Sequence, residues 1–262
     1  MQKDILVAIM EDDLFSRNWM SLLLVRDWRI RLMGDIPDIK ELTYFLDNSN
    51  SRVDILVADV DVFGTEFNFP SFLSAVREHN PDLKILCTGV RAEEHIIKYM
   101  NDENCCGYLL KQEIGFSLGW AISFAYDNHW LFTSSTLAKA HKMNLPIPSN
   151  KMVLAGRVDF PGFTDRETEV AKLAIIFSLG RRDLAEALKI SDQWSYGMVS
   201  ELYAKLGLGD ILSGEVDPIT YLGDNPVLLD RFQKIVDKLS PNKKAKDLET
   251  LAFHFLTMPE IL

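Results

Sequence analysis

Acidic, hydroxyl and amino side chains follow short apolar runs in the first half of the chain. They stand at Glu11, Asp12 and Asp13, at Asp59, at Thr88 and at Lys111. Carboxylates that converge in one crevice repel each other unless a cation neutralises them, and their hard oxygens suit Mg²⁺. A lysine at the rim suits a phosphoryl or carboxylate oxygen, and a threonine hydroxyl can donate a hydrogen bond to one. These residue types suit a magnesium ion and an oxyanion, provided that the fold brings them together.

The elements that must position these residues alternate along the chain. The apolar runs cover residues 5–10, 30–33, 53–58, 83–87 and 107–110. Helical patterns lie between them, most clearly at 72–78 and 93–100. This alternation predicts an α/β fold with a doubly wound, five-stranded parallel sheet. The carboxyl ends of parallel strands share one edge of the sheet, where functional residues gather. Asp13 is more typical of a helix cap than of a metal ligand.

The order and chemistry of these residues resemble the receiver domain of bacterial two-component response regulators. The match covers roughly residues 3–125, and we place the domain at 1–125. The resemblance implies that Asp59 is the phospho-acceptor. It also implies that Mg²⁺ is the cofactor and is held by Glu11, Asp12, Asp59 and the backbone carbonyl of Asp61.

The same resemblance implies that Thr88 and Lys111 bind the phosphoryl group, while Thr88 and Tyr108 act as the switch. Each residue alone has a structural alternative, since an aspartate after a strand is often a cap or turn residue. A lysine there is often a solvated loop residue. Five positions carry the chemistry, namely Glu11, Asp12, Asp59, Thr88 and Lys111. That all five have a suitable residue favours the functional interpretation over the structural one. Residues 60–64 differ from the Met-Pro-Gly-type turn that receivers often have, so we expect altered loop geometry after Asp59.

Composition limits the class of protein. The chain has 262 residues, 47% of them hydrophobic, and a formal charge of −10. Domains of ~100–200 residues make two folded units the natural expectation, and the apolar content excludes wholesale disorder. No apolar run approaches the ~18–20 residues that cross a bilayer, and the first residues do not resemble a secretory signal. The cysteines Cys87, Cys105 and Cys106 suit a reduced, cytoplasmic location and lack zinc spacing.

The acidity is concentrated in one part of the chain. Residues 1–120 hold 12 basic and 20 acidic residues, a net charge of −8. The overall charge therefore excludes a protein coated everywhere with nucleic-acid-binding cations. It leaves open a local basic surface elsewhere.

Residues 126–162 are predicted to be a linker. Residues 128–134 resemble the start of the linker in the NarL/FixJ group of response regulators. Pro146, Pro148, Ser149 and Asn150 indicate a flexible stretch, and Pro161-Gly162 marks the entry to the next unit.

Residues 163–210 have the pattern of a helix-turn-helix domain. Thr164 with Glu167 forms a capping box, and Ser191 with Asp192 caps a third short helix. Thr164-Asp165-Arg166-Glu167, Leu184-Ala185, Ile190-Ser191 and Lys205-Leu206-Gly207 resemble the LuxR-type DNA-binding domain. The match extends over about 48 residues and implies DNA binding and transcription regulation.

The expected recognition helix carries unusual chemistry for that role. Residues 193–201 include no basic residue, and a helix in the major groove needs cations nearby. Its polar readers would be Gln193, Ser195 and Ser200. Phosphate contacts would come from Arg181, Arg182, Lys189 and Lys205. Trp194, Tyr196 and Met198 suit either packing or a protein interface.

Residues 211–262 lie beyond the usual end of a LuxR-type domain and are predicted to form a helical extension. Asn225 and Pro226 begin one amphipathic helix, and Ser240 and Pro241 begin another. These helices would pack on the helix-turn-helix unit or form a dimer or partner interface. Three lysines, at 243, 244 and 246, suit a solvated helix start or a phosphate contact.

These features predict a cytoplasmic response regulator rather than an enzyme. A histidine kinase or other phosphodonor would phosphorylate Asp59, and the output would be DNA binding, in a homodimer and without a membrane. The alternative is a phospho-switched protein-interaction module whose helix-turn-helix unit no longer binds DNA. A phosphatase with Asp59 as nucleophile fits less well, because no separate substrate cap is apparent.

Overall fold

The computed structural model of the chain describes residues 4–48, 52–63, 68–160, 162–218, 225–239 and 244–262. It divides into two compact units. The first comprises Met1–Arg157 together with Pro259–Leu262, and the second comprises Val158–Met258. The first unit is therefore discontinuous in sequence, with the second inserted between its two parts. Within the described residues, no helix has the length and apolarity to span a membrane.

The first unit is built on a sheet of eight described strands in the order β2-β1-β3-β4-β5-β6-β7-β8. Neighbouring strands are parallel except β7 and β8, which are antiparallel. The strands are β1 Ile5–Met10, β2 Ile30–Ile36, β3 Ile55–Asp59, β4 Lys84–Gly89, β5 Cys105–Leu110, β6 Trp130–Phe132, β7 Lys151–Ala155 and β8 Glu260–Ile261. The doubly wound parallel sheet is thus confirmed over β1 to β5, and three further strands extend it.

Helices cover the sheet and bury its central strands. Those of the first unit are α1 Leu14–Arg26, α2 Ile39–Asn48, α3 Phe69–His79, α4 Glu94–Ile97, α5 Lys111–Ile114, α6 Leu118–Tyr126 and α7 Ser134–Lys142. Strands β3 and β5 are buried along their whole length, as expected for a parallel sheet covered on both faces. The helix predicted at 93–100 is a single turn, α4. Asp13 is the N-cap of α1 and accepts a hydrogen bond from the Ser16 amide, which confirms its predicted role.

The predicted linker at 126–162 is wrong for most of its length, because β6, α7 and β7 belong to the first unit. Leu131 and Phe132 of β6 are buried, and so is Leu154 of β7. Burial of these short apolar segments against the sheet stabilises them as strands. Gly107 of β5 allows β6 to lie close beside it, since a Cβ atom at position 107 would lie 2.3 Å from the Leu131 carbonyl oxygen.

The second unit is helical in its described residues. Its helices are α8 Asp165–Ala171, which continues as a π-helical turn over Lys172–Ile176, α9 Arg181–Leu188, α10 Asp192–Lys205, α11 Leu208–Ser213, α12 Pro226–Val236 and α13 Lys244–Leu256. The capping box of Thr164 and Glu167 is confirmed, and so are the caps at Ser191 and Asn225. Helices α9 and α10, joined by a short turn, form the predicted helix-turn-helix.

The helical extension packs within the second unit. Its α13 contacts α11, α12 and the π-helical turn after α8. Phe232 of α12 and Phe255 of α13 are buried, with ring centroids 6.0 Å apart. These contacts fit the predicted packing of the extension on the helix-turn-helix unit, and its role as a dimer or partner interface stays a prediction. The helix start predicted at Ser240 and Pro241 lies outside the described residues, and so does Lys243.

The predicted extension is also wrong at its last four residues. Pro259–Leu262 returns to the first unit, where Ala155 of β7 pairs with Glu260 of β8. The Leu262 amide donates to the Val153 carbonyl at 2.9 Å. These contacts give hydrogen-bond partners to backbone groups on the edge of β7, which explains why a two-residue strand forms there.

Candidate functional site

The carboxyl ends of β1, β3, β4 and β5 bring the predicted site residues to one edge of the sheet. Glu11 follows β1, and Asp59 is the last residue of β3. Glu11, Asp12 and Asp59 each offer a carboxylate oxygen, and these oxygens lie within 4.8 Å of one another. Glu11 and Asp59 are buried whereas Asp12 is exposed, so the cluster reaches the surface at Asp12. The parallel sheet therefore gathers carboxylates from two strand ends, as the sequence predicted.

Lys111, the first residue of α5, supplies the positive charge of this cluster. Its Nζ lies 2.6 Å from Glu11 Oε2 and 3.1 Å from Asp59 Oδ2. Burial alone would lower the pKa of Lys111, but the contacts with Glu11 and Asp59 raise it. The ammonium group is therefore held in its charged form between two buried carboxylates.

Asp59 lies in a position that disfavours its charge. Burial raises its pKa to about 7; Lys111 opposes the shift, while Glu11 and Asp61 add to it. Asp59 Oδ1 is buried and has no hydrogen-bond partner among the described residues. Two buried carboxylates and an exposed one face a single ammonium group, so the site has an excess of negative charge. This excess fits a divalent cation with oxygen ligands, and Mg²⁺ commonly binds through one or two carboxylates and several waters.

Thr88 lies beside Asp59 on the adjacent strand. The two residues are register partners of β4 and β3. The Thr88 side chain is buried, and its Oγ1 has no hydrogen-bond partner among the described residues. A buried hydroxyl in this state can donate to an oxyanion at little cost in broken hydrogen bonds.

Asp61 is placed by the short 3-10 turn Asp61–Phe63. Its side chain accepts a hydrogen bond from the Val90 amide at 2.9 Å and so connects the loop after β3 to the loop after β4. Phe63 is buried at the end of the turn. The described part of the loop expected to differ from the usual receiver turn, residues 60–63, is therefore anchored by hydrogen bonding and burial, whereas Gly64 lies outside the described residues. The role of the Asp61 carbonyl as a metal ligand stays a prediction.

Tyr108 is buried in the core near the same edge. Its hydroxyl donates to the Arg91 carbonyl and accepts a hydrogen bond from the Glu93 amide at 3.3 Å. Burial raises the pKa of this phenol well above its ordinary value. The side chain is thus held by the loop that follows β4 and Thr88. Its role as a switch stays a prediction.

One further contact at this edge was not expected from the sequence. Arg17 of α1 donates from Nη1 to the backbone carbonyl of Glu11 at 2.6 Å. The Asp13 amide also donates to Glu11 Oε1 at 3.2 Å. These contacts hold the turn that presents Glu11. A basic residue six positions away in the chain has no diagnostic spacing for such a contact, so no sequence signal would have found it.

The second unit presents only some of the predicted DNA-contacting residues. Arg182, Lys189 and Gln193 are exposed, and Arg181 is half-buried. The Lys205 ammonium, by contrast, lies 2.6 Å from Glu167 Oε1. This contact, together with hydrogen bonds from Thr164, lowers the pKa of Glu167 to about 2. Lys205 therefore already has an anionic partner in its own unit.

Ser195 does not lie where a base-reading residue would lie. Its side chain is buried, and its hydroxyl hydrogen-bonds to the Arg181 carbonyl at 3.1 Å and the Asp192 carbonyl at 2.7 Å. The prediction for Ser195 is wrong because this residue shares the inward face of α10 with Val199 and Leu202. Its hydroxyl joins α10 to the start of α9.

Two aromatic side chains dominate the exposed part of α10. Trp194 is 44% exposed and Tyr196 is 59% exposed. The Arg166 guanidinium lies 6.0 Å from the Trp194 ring centroid, and the Arg181 guanidinium lies 5.7 Å from that of Tyr196. An arginine therefore flanks each ring, which partly offsets the absence of basic residues from residues 193–201 of α10.

The strand order and the groups at the strand ends define the first unit as a receiver domain with an extended sheet. The second unit is a helical domain that contains a helix-turn-helix. No family model matches the chain, and no curated protein matches it.

Several solved structures are similar to the chain. One is RcsB from Salmonella enterica serovar Typhimurium bound to promoter rprA in the presence of the phosphomimetic BeF3⁻. It has 17% identity and a TM-score of 0.44, with 78% of this chain and 93% of that chain covered. A complex of the two-component response regulator RcsB with DNA has 17% identity, a TM-score of 0.47 and the same coverage of 78% and 93%. The isolated REC domain of RcsB has 17% identity and a TM-score of 0.45, with 52% of this chain and 99% of that chain covered.

Proposed function

We propose that the protein is a response regulator of the NarL/FixJ type, in which Asp59 accepts a phosphoryl group at a magnesium site. The observation that carries this proposal is the combination of groups at one sheet edge. Glu11 and Asp59 are buried beside Lys111, and the buried Thr88 hydroxyl has no partner among the described residues. A purely structural ion pair would not need the additional carboxylate or the unsatisfied hydroxyl.

Each residue has a defined part in the proposed reaction. With a phosphohistidine donor, an ionised oxygen of Asp59 forms a bond to the phosphorus atom while the phosphorus–nitrogen bond breaks. The electron pair of that bond stays on the imidazole nitrogen, which leaves as neutral histidine, with a proton taken up from solvent if the nitrogen was not already protonated. Lys111 favours the ionised form of Asp59 and pairs with a phosphoryl oxygen, and Thr88 donates to another. Glu11, Asp12, Asp59 and the Asp61 carbonyl would hold Mg²⁺. When bound, the ion supplies positive charge that offsets repulsion between the carboxylates and the phosphoryl oxygens.

Beryllofluoride, a mimic of the phosphoryl group, tests this proposal directly. With Mg²⁺ present, it should raise the melting temperature of the wild-type protein and leave Asp59→Asn unchanged. Asp82→Asn is the matched control, because Asp82 is an exposed loop carboxylate away from the cluster. An unresponsive wild type, or an equal response in Asp59→Asn, would contradict phosphorylation at Asp59.

The proposed output is DNA binding by the second unit. Arg182 and Lys189 are exposed and suit phosphate contacts, and Gln193 is exposed near the start of α10, where a major-groove helix reads bases. A docking module remains the second candidate. It is favoured by the exposed Trp194 and Tyr196, because aromatic residues beside arginines are frequent in protein interfaces.

Selection from random DNA duplexes at two salt concentrations separates these outputs. DNA binding predicts an enriched sequence and an affinity that falls steeply with salt. The absence of both would favour the docking module. A cytoplasmic location, a homodimeric state and a histidine kinase or other phosphodonor complete the proposal. The three buried free cysteines are compatible with a reducing compartment.

A further inference from the structure

The strands added beyond β5 connect the carboxylate site to both boundaries of the second unit along the chain. The sheet continues from β5 through β6 and β7 to β8. The chain leaves the first unit after Arg157, two residues beyond β7, and re-enters it at Pro259, one residue before β8. Both ends of the second unit are thus covalently attached to the outermost pair of strands.

Two buried threonines attach this extension to β5. The Thr133 hydroxyl accepts a hydrogen bond from the Leu110 amide at 3.2 Å. The Thr136 hydroxyl donates to the Tyr108 carbonyl at 2.8 Å. Both threonine side chains are fully buried. The backbone immediately before Lys111 is therefore bonded to the residues that begin α7.

The turn that begins at Lys111 also contacts β7 at the unit boundary. The Gly156 amide donates to the Glu113 carbonyl at 2.7 Å, and the Ser135 amide donates to Glu113 Oε2 at 3.1 Å. A Cβ atom at position 156 would lie 2.3 Å from the Ile114 carbonyl oxygen. Only glycine permits this approach, and Gly156 directly precedes Arg157, where the first unit ends.

A ligand that shares oxygens with Lys111 at the carboxylate site would change the partners of Lys111. At present the ammonium group contacts Glu11 Oε2 and Asp59 Oδ2. A divalent cation or a phosphoryl group on Asp59 would compete for the same oxygens. Lys111 is the first residue of a four-residue helix, and Glu113 is the third. A displacement of the Lys111 backbone would therefore reach Glu113, which bonds to Gly156 and Ser135, within one helical turn.

We propose that the α5 turn, Gly156 and the β7–β8 pair form a mechanical link through which the carboxylate site controls the conformational freedom of the second unit. The proposal rests on the proposed function, because it requires a ligand at that site. The first part of the route runs from Lys111 through the Glu113 carbonyl to the Gly156 amide. The second part runs from Ala155 of β7 to its partner Glu260 of β8, next to the C-terminal end of the second unit. The two attachments act together, because β7 and β8 are hydrogen-bonded neighbours.

Hydrogen exchange of the full chain, with and without Mg²⁺ and beryllofluoride, tests this link. In the wild type, exchange should slow around the site and change about fivefold or more at the Gly156 and Leu262 amides and in α8 to α10. In Gly156→Ala, the site should still respond, but the response of the second unit should fall below about twofold. Deletion of Pro259–Leu262, which leaves Gly156 in place, should weaken the response of the second unit in the same way.

Gly209→Ala is the matched control. It makes the same chemical change in α11, where a Cβ atom meets nothing within 4 Å. It should retain both responses. An undiminished response of the second unit in Gly156→Ala or in the deletion variant would overturn the link. A wild type that responds at the site but nowhere in the second unit would overturn the link alone, whereas a silent site would overturn the proposed function with it.

Discussion

Asp59 and Thr88 are register partners on β3 and β4, and each has a buried side-chain oxygen without a hydrogen-bond partner among the described residues. Such groups are costly, since a buried and unsatisfied polar atom destabilises a fold by about 1–3 kcal/mol. Their adjacency at a strand end, where Lys111 contacts Asp59, fits the proposed magnesium and phosphoryl site.

Asp59→Asn should stabilise the protein against urea at pH 8 in the presence of a chelator. Burial raises the folded-state pKa of Asp59 to about 7, whereas an unfolded aspartate has its ordinary pKa of about 3.9. The ionised carboxylate therefore destabilises the fold above about pH 7, and this penalty is relieved as the pH falls from 7 towards 4. The stabilisation by asparagine should be on the order of a few kcal/mol at pH 8 and should shrink by pH 5.

Urea titrations at both pH values measure this difference, and Asp82→Asn should show little change between them. If the stability gained by Asp59→Asn were the same at both pH values, or larger at pH 5, burial would not penalise the charged form of Asp59.

Lys111→Met should destabilise the unliganded protein by about 3 kcal/mol, because it leaves Glu11 and Asp59 buried without their counter-charge. Mg²⁺ should restore part of this loss, since the ion supplies positive charge to the same carboxylates. Thermal melts with and without Mg²⁺ measure the effect. Lys98→Met, which removes an exposed lysine, should be nearly neutral under both conditions. Equal stability of Lys111→Met with and without Mg²⁺ would argue against a metal at this cluster.

Phe232→Leu should lower the stability of the second unit by about 1–2 kcal/mol, because Phe232 is fully buried against Phe255. If the extension and the helix-turn-helix share one core, hydrogen exchange should accelerate in α8 to α10 as well as in α12. Val227→Ala changes a partly exposed residue of the same helix and is the control. Acceleration confined to α12 and α13 would show that the extension unfolds independently.

The sequence was sufficient to predict β1 to β5 and the convergence of Glu11, Asp59, Thr88 and Lys111. Buried parallel strands are continuous apolar runs, and their carboxyl ends necessarily share an edge. Strands β6 and β8 have only three and two residues, so pairing with a neighbour, rather than local pattern, determines them. The inward position of Ser195 was predictable, because it has helical spacing with Val199 and Leu202.

The pairing of Lys205 with Glu167 was not predictable, because the two residues are 38 positions apart in the chain. If the second unit binds duplex DNA, Arg182→Ala should reduce the slope of log K against log salt by about one. Arg182 is exposed, whereas Lys205 already neutralises Glu167. Lys205→Ala should therefore change the slope by less than about half as much. Binding titrations over a range of salt concentrations measure both slopes, and a larger effect of Lys205→Ala would show that Lys205 exchanges Glu167 for a phosphate.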